Sequence, residues 1–217
     1  MTSEELAGYV DYTQLKAYAS WEDLQKLCEE AIRSRTASVC IPPSYVSRIK
    51  EKYGQELNIC TVIGFPLGYH VTSVKVAEAK QALEDGCNEI DMVVNIGDVK
   101  NKDFEKVEEE IRTIKKICGD HIVKVIVETC YLTEEEKIAL CKAVTCAGAD
   151  YIKTSTGFGT SGASIEDIRL FKKYIGTEVK IKAAGGIRTH DDLVAFLAEG
   201  CDRVGASAAL EELVHEK

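Results

Sequence analysis

The sequence has no run of apolar residues approaching the ~18 to 20 needed to cross a bilayer as a helix, which removes helical membrane proteins from consideration. Its first residues, Met1 to Glu5, are polar and acidic. They lack the basic start and apolar run of a secretory leader, so a soluble, cytoplasmic protein is expected. Positive charge is scarce: 27 Lys and Arg stand against 36 Asp and Glu, a formal net charge of −9. Phosphate backbones reward clustered cations, so no nucleic-acid partner is expected, and no membrane partner either. The three prolines are too few for a Pro-rich linker, and no charge block or low-complexity tract marks a disordered segment. Metal-ligand spacing is missing too. His70, His121, His190 and His215 are scattered, and the nine cysteines contain no C-x-x-C pair, so no metal and no cofactor are expected. Without a leader, an odd number of scattered cysteines reads as free thiols in a reducing compartment.

What the chain does contain is alternation. Its 217 residues suffice for one sizeable core, in a single domain spanning 1–217. Short β-branched runs recur at Tyr9–Thr13, Ser38–Pro42, Asn58–Phe65, Glu89–Asn95, Val123–Glu128, Tyr151–Ser155, Val179–Ala183 and Arg203–Gly205. Stretches of helical period follow them at Trp21–Ser34, Ser44–Tyr53, Ser73–Asp85, Asp103–Cys118, Glu134–Ala147, Ile165–Tyr174, Asp191–Glu199 and, more briefly, Ala208–Val214. Ser20, Thr133, Ser164 and Thr189 are each followed three residues later by an acid. Such a hydroxyl accepts from an orphan backbone N–H, while the acid complements the positive helix end. Gly86, Gly119, Gly148, Gly176 and Gly200 stand where helices should stop. Eight βα units with near-continuous apolar strands imply parallel strands buried on both faces. A closed (β/α)8 TIM barrel is the economical arrangement, and an open doubly wound sheet is its rival.

The informative residues are the charges inside these strands, where a Lys, Asp or Glu is costly unless paired. Side chains alternate across a strand, so Asp91, Val93 and Asn95 face the barrel axis while Ile90, Met92 and Val94 face the helices. The same parity turns Lys124, Ile126 and Glu128 inward, then Lys153 and Ser155, then Lys180, Lys182 and Ala184. Lys180 lies nearer the bottom of its strand, where it reaches solvent, and reads as structural. A self-satisfied buried ion-pair network is the bland explanation of the rest. Three lysines and an aspartate converging near the C-terminal strand ends, where barrel active sites lie, favour chemistry instead. An amine is a nucleophile only when neutral, against an ordinary lysine value near ~10.4. A second ammonium and desolvation favour that neutral form. Lys153 and Lys182, one βα unit apart, therefore suit Schiff-base carbon–carbon chemistry: Lys153 attacks a carbonyl while Lys182 stays charged and moves protons through Asp91.

A phosphate end is also legible. Gly185-Gly186 closes the seventh run and Gly205-Ala206-Ser207 the eighth. Barrels commonly bind phosphate with these two loops and a helix N-terminus, here the one near Ala208. A small phosphorylated aldehyde is the expected substrate. The run Gly157-Phe158-Gly159-Thr160-Ser161-Gly162 formally matches G-x-G-x-x-G. Five βα units precede it and its helix begins only after Ser164, so it reads as a loop folding over substrate rather than a dinucleotide site. Cys40 is either a core thiol or a pocket-lining one.

Taken together, Lys153-Thr154-Ser155-Thr156-Gly157-Phe158, Glu89-Ile90-Asp91-Met92-Val93-Val94-Asn95 and Lys182-Ala183-Ala184-Gly185-Gly186-Ile187-Arg188-Thr189 resemble the deoxyribose-phosphate aldolase family. The likeness extends from Val10-Asp11-Tyr12-Thr13 to Arg203-Val204-Gly205-Ala206-Ser207. It implies a metal-independent class I aldolase that cleaves 2-deoxy-D-ribose 5-phosphate to D-glyceraldehyde 3-phosphate and acetaldehyde in deoxyribonucleotide breakdown. It also implies an imine on Lys153 and proton transfer by Asp91 and Lys182 through an ordered water. Substrate contacts would come from Asp11, Thr13, Cys40, Lys124 and Thr156, and the phosphate grip from Gly157, Gly185, Gly186, Gly205 and Ser207. Three positions depart from the pattern. Phe158 stands where some members carry a phosphate-binding lysine, and Ala208 where a second serine often follows Ser207. The chain ends Val214-His215-Glu216-Lys217, without the terminal tyrosine that some members use. A lysine aldolase with another donor and a non-catalytic phosphosugar binder are the alternatives, although a binder has no need of paired amines. Barrels of this size often associate through their helices, which leaves a homodimer or homotetramer open.

Overall fold

The computed structural model describes residues 1–215, and the terminal Glu216 and Lys217 lie outside the described residues. Strands β1 (Val10–Thr13), β2 (Ser38–Ile41), β3 (Ile59–Ile63), β4 (Glu89–Val93), β5 (Ile122–Ile126), β6 (Tyr151–Lys153), β7 (Lys180–Ala184) and β8 (Arg203–Ala206) pair in parallel in chain order. Pairing of β8 with β1 closes the barrel, so the open-sheet alternative is set aside. The main crossover helices are α2 (Trp21–Ser34), α3 (Val46–Tyr53), α4 (Thr72–Glu84), α6 (Phe104–Cys118), α7 (Glu134–Ala147), α8 (Ile165–Tyr174) and α9 (His190–Glu199). Three five-residue helices, α1 (Ser3–Ala7), α5 (Ile96–Lys100) and α10 (Leu210–Val214), and two 3-10 turns, Pro43–Tyr45 and Thr129–Tyr131, complete the order. The first two escape a periodicity reading because five residues make little more than one turn.

Local chemistry starts these helices as expected. Ser20, Thr133 and Thr189 form reciprocal capping boxes with Asp23, Glu136 and Asp192, and Ser164 accepts from the Asp167 N–H. Helix ends are less uniform. Gly148 and Gly200 take left-handed caps, but α8 stops at Ile175 in extended backbone. Gly176 is glycine for another reason: a Cβ there would stand 2.3 Å from Thr145 Cγ2, so close packing of the α8 end on α7 excludes a side chain. The last helix begins at Leu210 instead of near Ala208, a single turn with little of a macrodipole to offer an anion.

The expected alternation holds. Val39, Ile41, Ile90, Met92, Val123, Val125, Ile152, Ile181 and Val204 point outward and pack against Leu24, Ile49, Ile111, Val144, Phe171 and Leu193 of the helices. Burying each such aliphatic side chain contributes about 1.5–3 kcal/mol, which makes this annulus the main source of stability. Inside the barrel the buried apolar cluster is small: Cys40, Cys60 and Val62, with Leu15 and Phe65 against it. The rest of the lumen is charged. Several strands end sooner than their apolar runs, at Ile63, Val93, Ile126 and Lys153, because the chain turns there to build loops over the lumen. Asn95, for example, leaves β4 to cap α5 through the Gly97 N–H. All nine cysteines are free, and no helix among the described residues is long and apolar enough to cross a membrane.

Candidate active site

Asp91 is the hub of the lumen. Its Oδ2 accepts from Lys153 Nζ at 2.7 Å and from Lys182 Nζ at 2.8 Å. Its Oδ1 accepts from Lys124 Nζ at 2.8 Å and from the Cys60 thiol at 3.1 Å. Strand register produces this meeting: Asp91 lies opposite Lys124 across β4–β5, and Lys153 opposite Lys182 across β6–β7. Asp11 and Glu89 extend the network. Asp11 Oδ2 is 2.5 Å from Lys182 Nζ and 3.6 Å from Lys124 Nζ, while its Oδ1 accepts from Ser38 Oγ at 2.8 Å and from Arg203. Glu89 Oε2 is 2.5 Å from Lys124 Nζ, and its Oε1 takes Arg203 Nη2 at 3.1 Å and Asn58 Nδ2 at 2.5 Å.

Burial and charge act against each other here, and charge wins. Burial alone would raise the Asp91 carboxyl, but Lys124, Lys153 and Lys182 hold it well below the usual carboxylate range. The same contest at Asp11 is decided by Lys182, Lys124 and Arg203, again downward. Burial would lower the Lys182 amine, yet Asp11 and Asp91 push it above the ordinary lysine range. Lys124 is likewise pushed up, by Asp91, Cys60, Asp11 and Glu89. The connected network joins three carboxylates, Asp11, Glu89 and Asp91, to four cationic side chains, Lys124, Lys153, Lys182 and Arg203. One positive charge is therefore in excess where unpaired charge is costly. Lys153 has Asp91 as its one carboxylate partner among the described residues, and its side chain keeps 4% exposure, whereas Lys124 and Lys182 keep none. It is the amine that a molecule entering the barrel can touch.

The remaining expected residues fall into two groups. Asp11 and Lys124 are fully buried, Asp11 paired with Lys182 and Lys124 with Asp91. Cys40 faces the lumen beside Cys60 and Asp91. Thr13 ends β1 half-buried, its hydroxyl donating to the Asp11 carbonyl at 2.8 Å. Above them the β6 and β7 loops meet. Ala163 N–H is shared between the carbonyls of Ala184 and Gly185 at 3.1 Å, and a Cβ at Gly162 would overlap Gly185 O at 2.1 Å. This contact brings Gly157 beside Gly185, while the space next to Gly186 is open for 4 Å. Gly205 lies within β8. A Cβ there would meet Lys182 Cε at 3.2 Å, so its missing side chain makes room for the lysine. Ser207 follows β8 and is exposed, and Phe158, 54% exposed, stands edge-on to Phe65 with centroids 5.4 Å apart.

Three participants went unread in the sequence, Glu89, Arg203 and Cys60, while Glu128, turned inward by parity, binds Thr156. Parity could have found Glu89 and Arg203, which share faces with Asp91 and Gly205. Cys40, Cys60 and Asp91 bring potential ligand atoms within 4.8 Å of one another. A divalent cation there would have to displace ammonium groups from both Asp91 oxygens.

The chain is similar to known proteins over its full length. The family model for DeoC/LacD family aldolases matches residues 7–210. A deoxyribose-phosphate aldolase of Clostridium botulinum (strain Alaska E43 / Type E3) is 63% identical over 217 residues, covering 100% of this chain and 98% of that protein. One from Clostridioides difficile is 55% identical over 207 residues, 95% and 94% of the two chains. Among solved structures, the tetrameric deoxyribose phosphate aldolase of Aeropyrum pernix superposes with a TM-score of 0.91 at 31% identity, covering 98% of this chain and 91% of that one.

Proposed function

From the premise that the chain belongs to the DeoC/LacD aldolase family, we propose a division of labour for the lumen in which Lys153 forms the Schiff base. The protein is a class I aldolase that reversibly cleaves 2-deoxy-D-ribose 5-phosphate into D-glyceraldehyde 3-phosphate and acetaldehyde. The observation carrying the assignment is the single Asp91 oxygen shared by the Lys153 and Lys182 amines, with only Lys153 open to the lumen.

Lys153 attacks C1 of the open-chain sugar, and loss of water leaves an imine. Water held on Asp91 accepts the C3 hydroxyl proton as the C2–C3 bond breaks, its electron pair passing into the protonated imine to give an enamine as glyceraldehyde 3-phosphate leaves. Protonation of the enamine carbon and hydrolysis then release acetaldehyde. Lys182, held charged by Asp11 and Asp91, is the proton donor and relays through water on Asp91. Lys124, Glu89 and Arg203 keep Asp91 and Asp11 in place, and Cys40, Thr13 and Thr156 line the way in. Gly157, Gly185, Gly186 and the backbone around Ser207 offer N–H groups to the phosphate, with no lysine at Phe158 to assist. No metal is needed at any step. The association state expected is a homodimer or homotetramer, and the free thiols suit a cytoplasmic setting.

The experiment compares phosphorylated with free deoxyribose. Remote binding energy positions the reacting carbon, so the free sugar should have a kcat/KM lower by at least about 10²-fold, with loss in kcat as well as KM. Ser207→Ala should cost only about 1 kcal/mol in the phosphorylated reaction, the worth of one hydrogen bond. Equal use of the two sugars would remove the phosphate site from the proposal while leaving the lysine chemistry in place.

A further inference from the structure

We infer that Glu128 is a positioning residue: its buried carboxylate holds the loop after Lys153 in the shape that presents the Gly157 backbone to the substrate phosphate. The inference rests on the proposed function and extends it to a residue outside the charge network.

Glu128 adopts φ 56°, ψ 65°, a left-handed conformation that disfavours any side chain with a Cβ. The backbone on either side explains how it arises. Val127 N–H donates to the Lys153 carbonyl at 3.0 Å, and Thr129 N–H to the Thr154 carbonyl at 2.9 Å. The β5 side therefore advances two residues for one on the β6 side, a bulge in which Glu128 is the extra residue. Bulges beside active sites re-aim a side chain, and strained residues persist where several contacts over-determine them.

Here the re-aimed side chain folds over the end of β6. Both carboxylate oxygens accept from the Thr156 N–H, at 3.2 and 3.3 Å, and Oε2 also accepts from the Thr156 hydroxyl. Thr156 Oγ1 in turn accepts from Phe158 N–H at 3.0 Å. This chain of bonds wraps residues 156–158 into a tight turn with Gly157 at φ 86°. Gly159 closes against the same carboxylate, since a Cβ there would stand 3.0 Å from Glu128 Oε1. Glu128 is 3% exposed, and no Lys or Arg pairs with it among the described residues. A buried carboxylate in a costly backbone conformation, used on that loop apart from a long contact of 3.9 Å from the Cys130 thiol, is a device for fixing the loop.

Glu128→Gly is the cleanest test, because it deletes the carboxylate where the backbone already suits glycine. Its kcat/KM for 2-deoxyribose 5-phosphate should fall about tenfold or more, chiefly through KM, while that for free 2-deoxyribose changes less than about threefold. Glu128→Gln keeps an acceptor oxygen for Thr156 and should recover most of the loss. Borohydride trapping of acetaldehyde should be unchanged in both variants. Unaltered discrimination between the two sugars, whatever the melting temperature does, overturns the inference, as does an equal loss on both. A parent protein that does not discriminate at all overturns the phosphate reading beneath it as well. Discrimination in the parent that survives Glu128→Gly overturns the inference alone.

Discussion

Asp91→Asn is expected to retain less than about one hundredth of the parent kcat, the scale of a lost acid–base group, and to unfold more readily. The carboxylate binds three ammonium groups and a thiol, and all four partners come from strands it holds together. Breaking a buried pair by removing one partner costs about 3–5 kcal/mol, because the remaining charge stays buried and unpaired. The pH dependence separates this from a packing effect. Asp91 is held well below the usual carboxylate range in the fold, against about 3.9 in the unfolded chain. Between those values the unfolded chain binds more protons, so the stability Asp91 contributes is complete above about pH 4 and is lost as pH falls through the folded value. Denaturant melts should therefore show the full gap between parent and variant at pH 7, narrowing below about pH 4. A gap that is independent of pH would mean that asparagine disturbs packing alone.

Lys182→Leu should also lower kcat by about 10²-fold or more, for a different primary reason. The substitution takes the charged proton donor from Asp91 and leaves Asp11 without the amine 2.5 Å away. Because Asp11 and Asp91 push this amine above the ordinary lysine range, its stabilisation is complete below about pH 10 and is lost only as pH rises through the folded value. The stability deficit of Lys182→Leu should accordingly be flat from pH 6 to about 9, unlike that of Asp91→Asn in acid. The double variant tests whether the two groups form one relay. Residues acting as a unit are grossly non-additive, so the combined loss in kcat should be far smaller than the product of the single losses. Multiplying effects would assign Lys182 and Asp91 to separate steps.

Much of this arrangement is legible in the residues. Strand parity alone turns Asp91, Lys124, Lys153 and Lys182 toward one axis, because period-two alternation and closed parallel pairing leave no other face for them. The same parity reaches Glu89 and Arg203, whose importance appears only when both are seen beneath Lys124 and Asp11. Depth is not legible. Lys124 and Asp11 read as pocket residues, and both are fully buried in the charge network, a burial that barrel register sets and no local pattern encodes. Glu128 is harder still. Its left-handed backbone follows from a bulge between β5 and β6, a tertiary event, and glutamate carries no propensity for it. Gly176 makes the complementary point: a glycine at a helix end reads as a cap, and the Thr145 side chain that excludes a Cβ comes from a different helix.

The central claim is that Lys153, and neither of the amines sharing Asp91 with it, carries the covalent intermediate. Incubation with acetaldehyde and borohydride, followed by peptide mass spectrometry, reads this directly as the site of an N-ethyl lysine. The label is predicted on Lys153, the amine with side-chain exposure and one carboxylate partner. Label on Lys182 or Lys124, or none in a preparation that turns over substrate, would contradict the account.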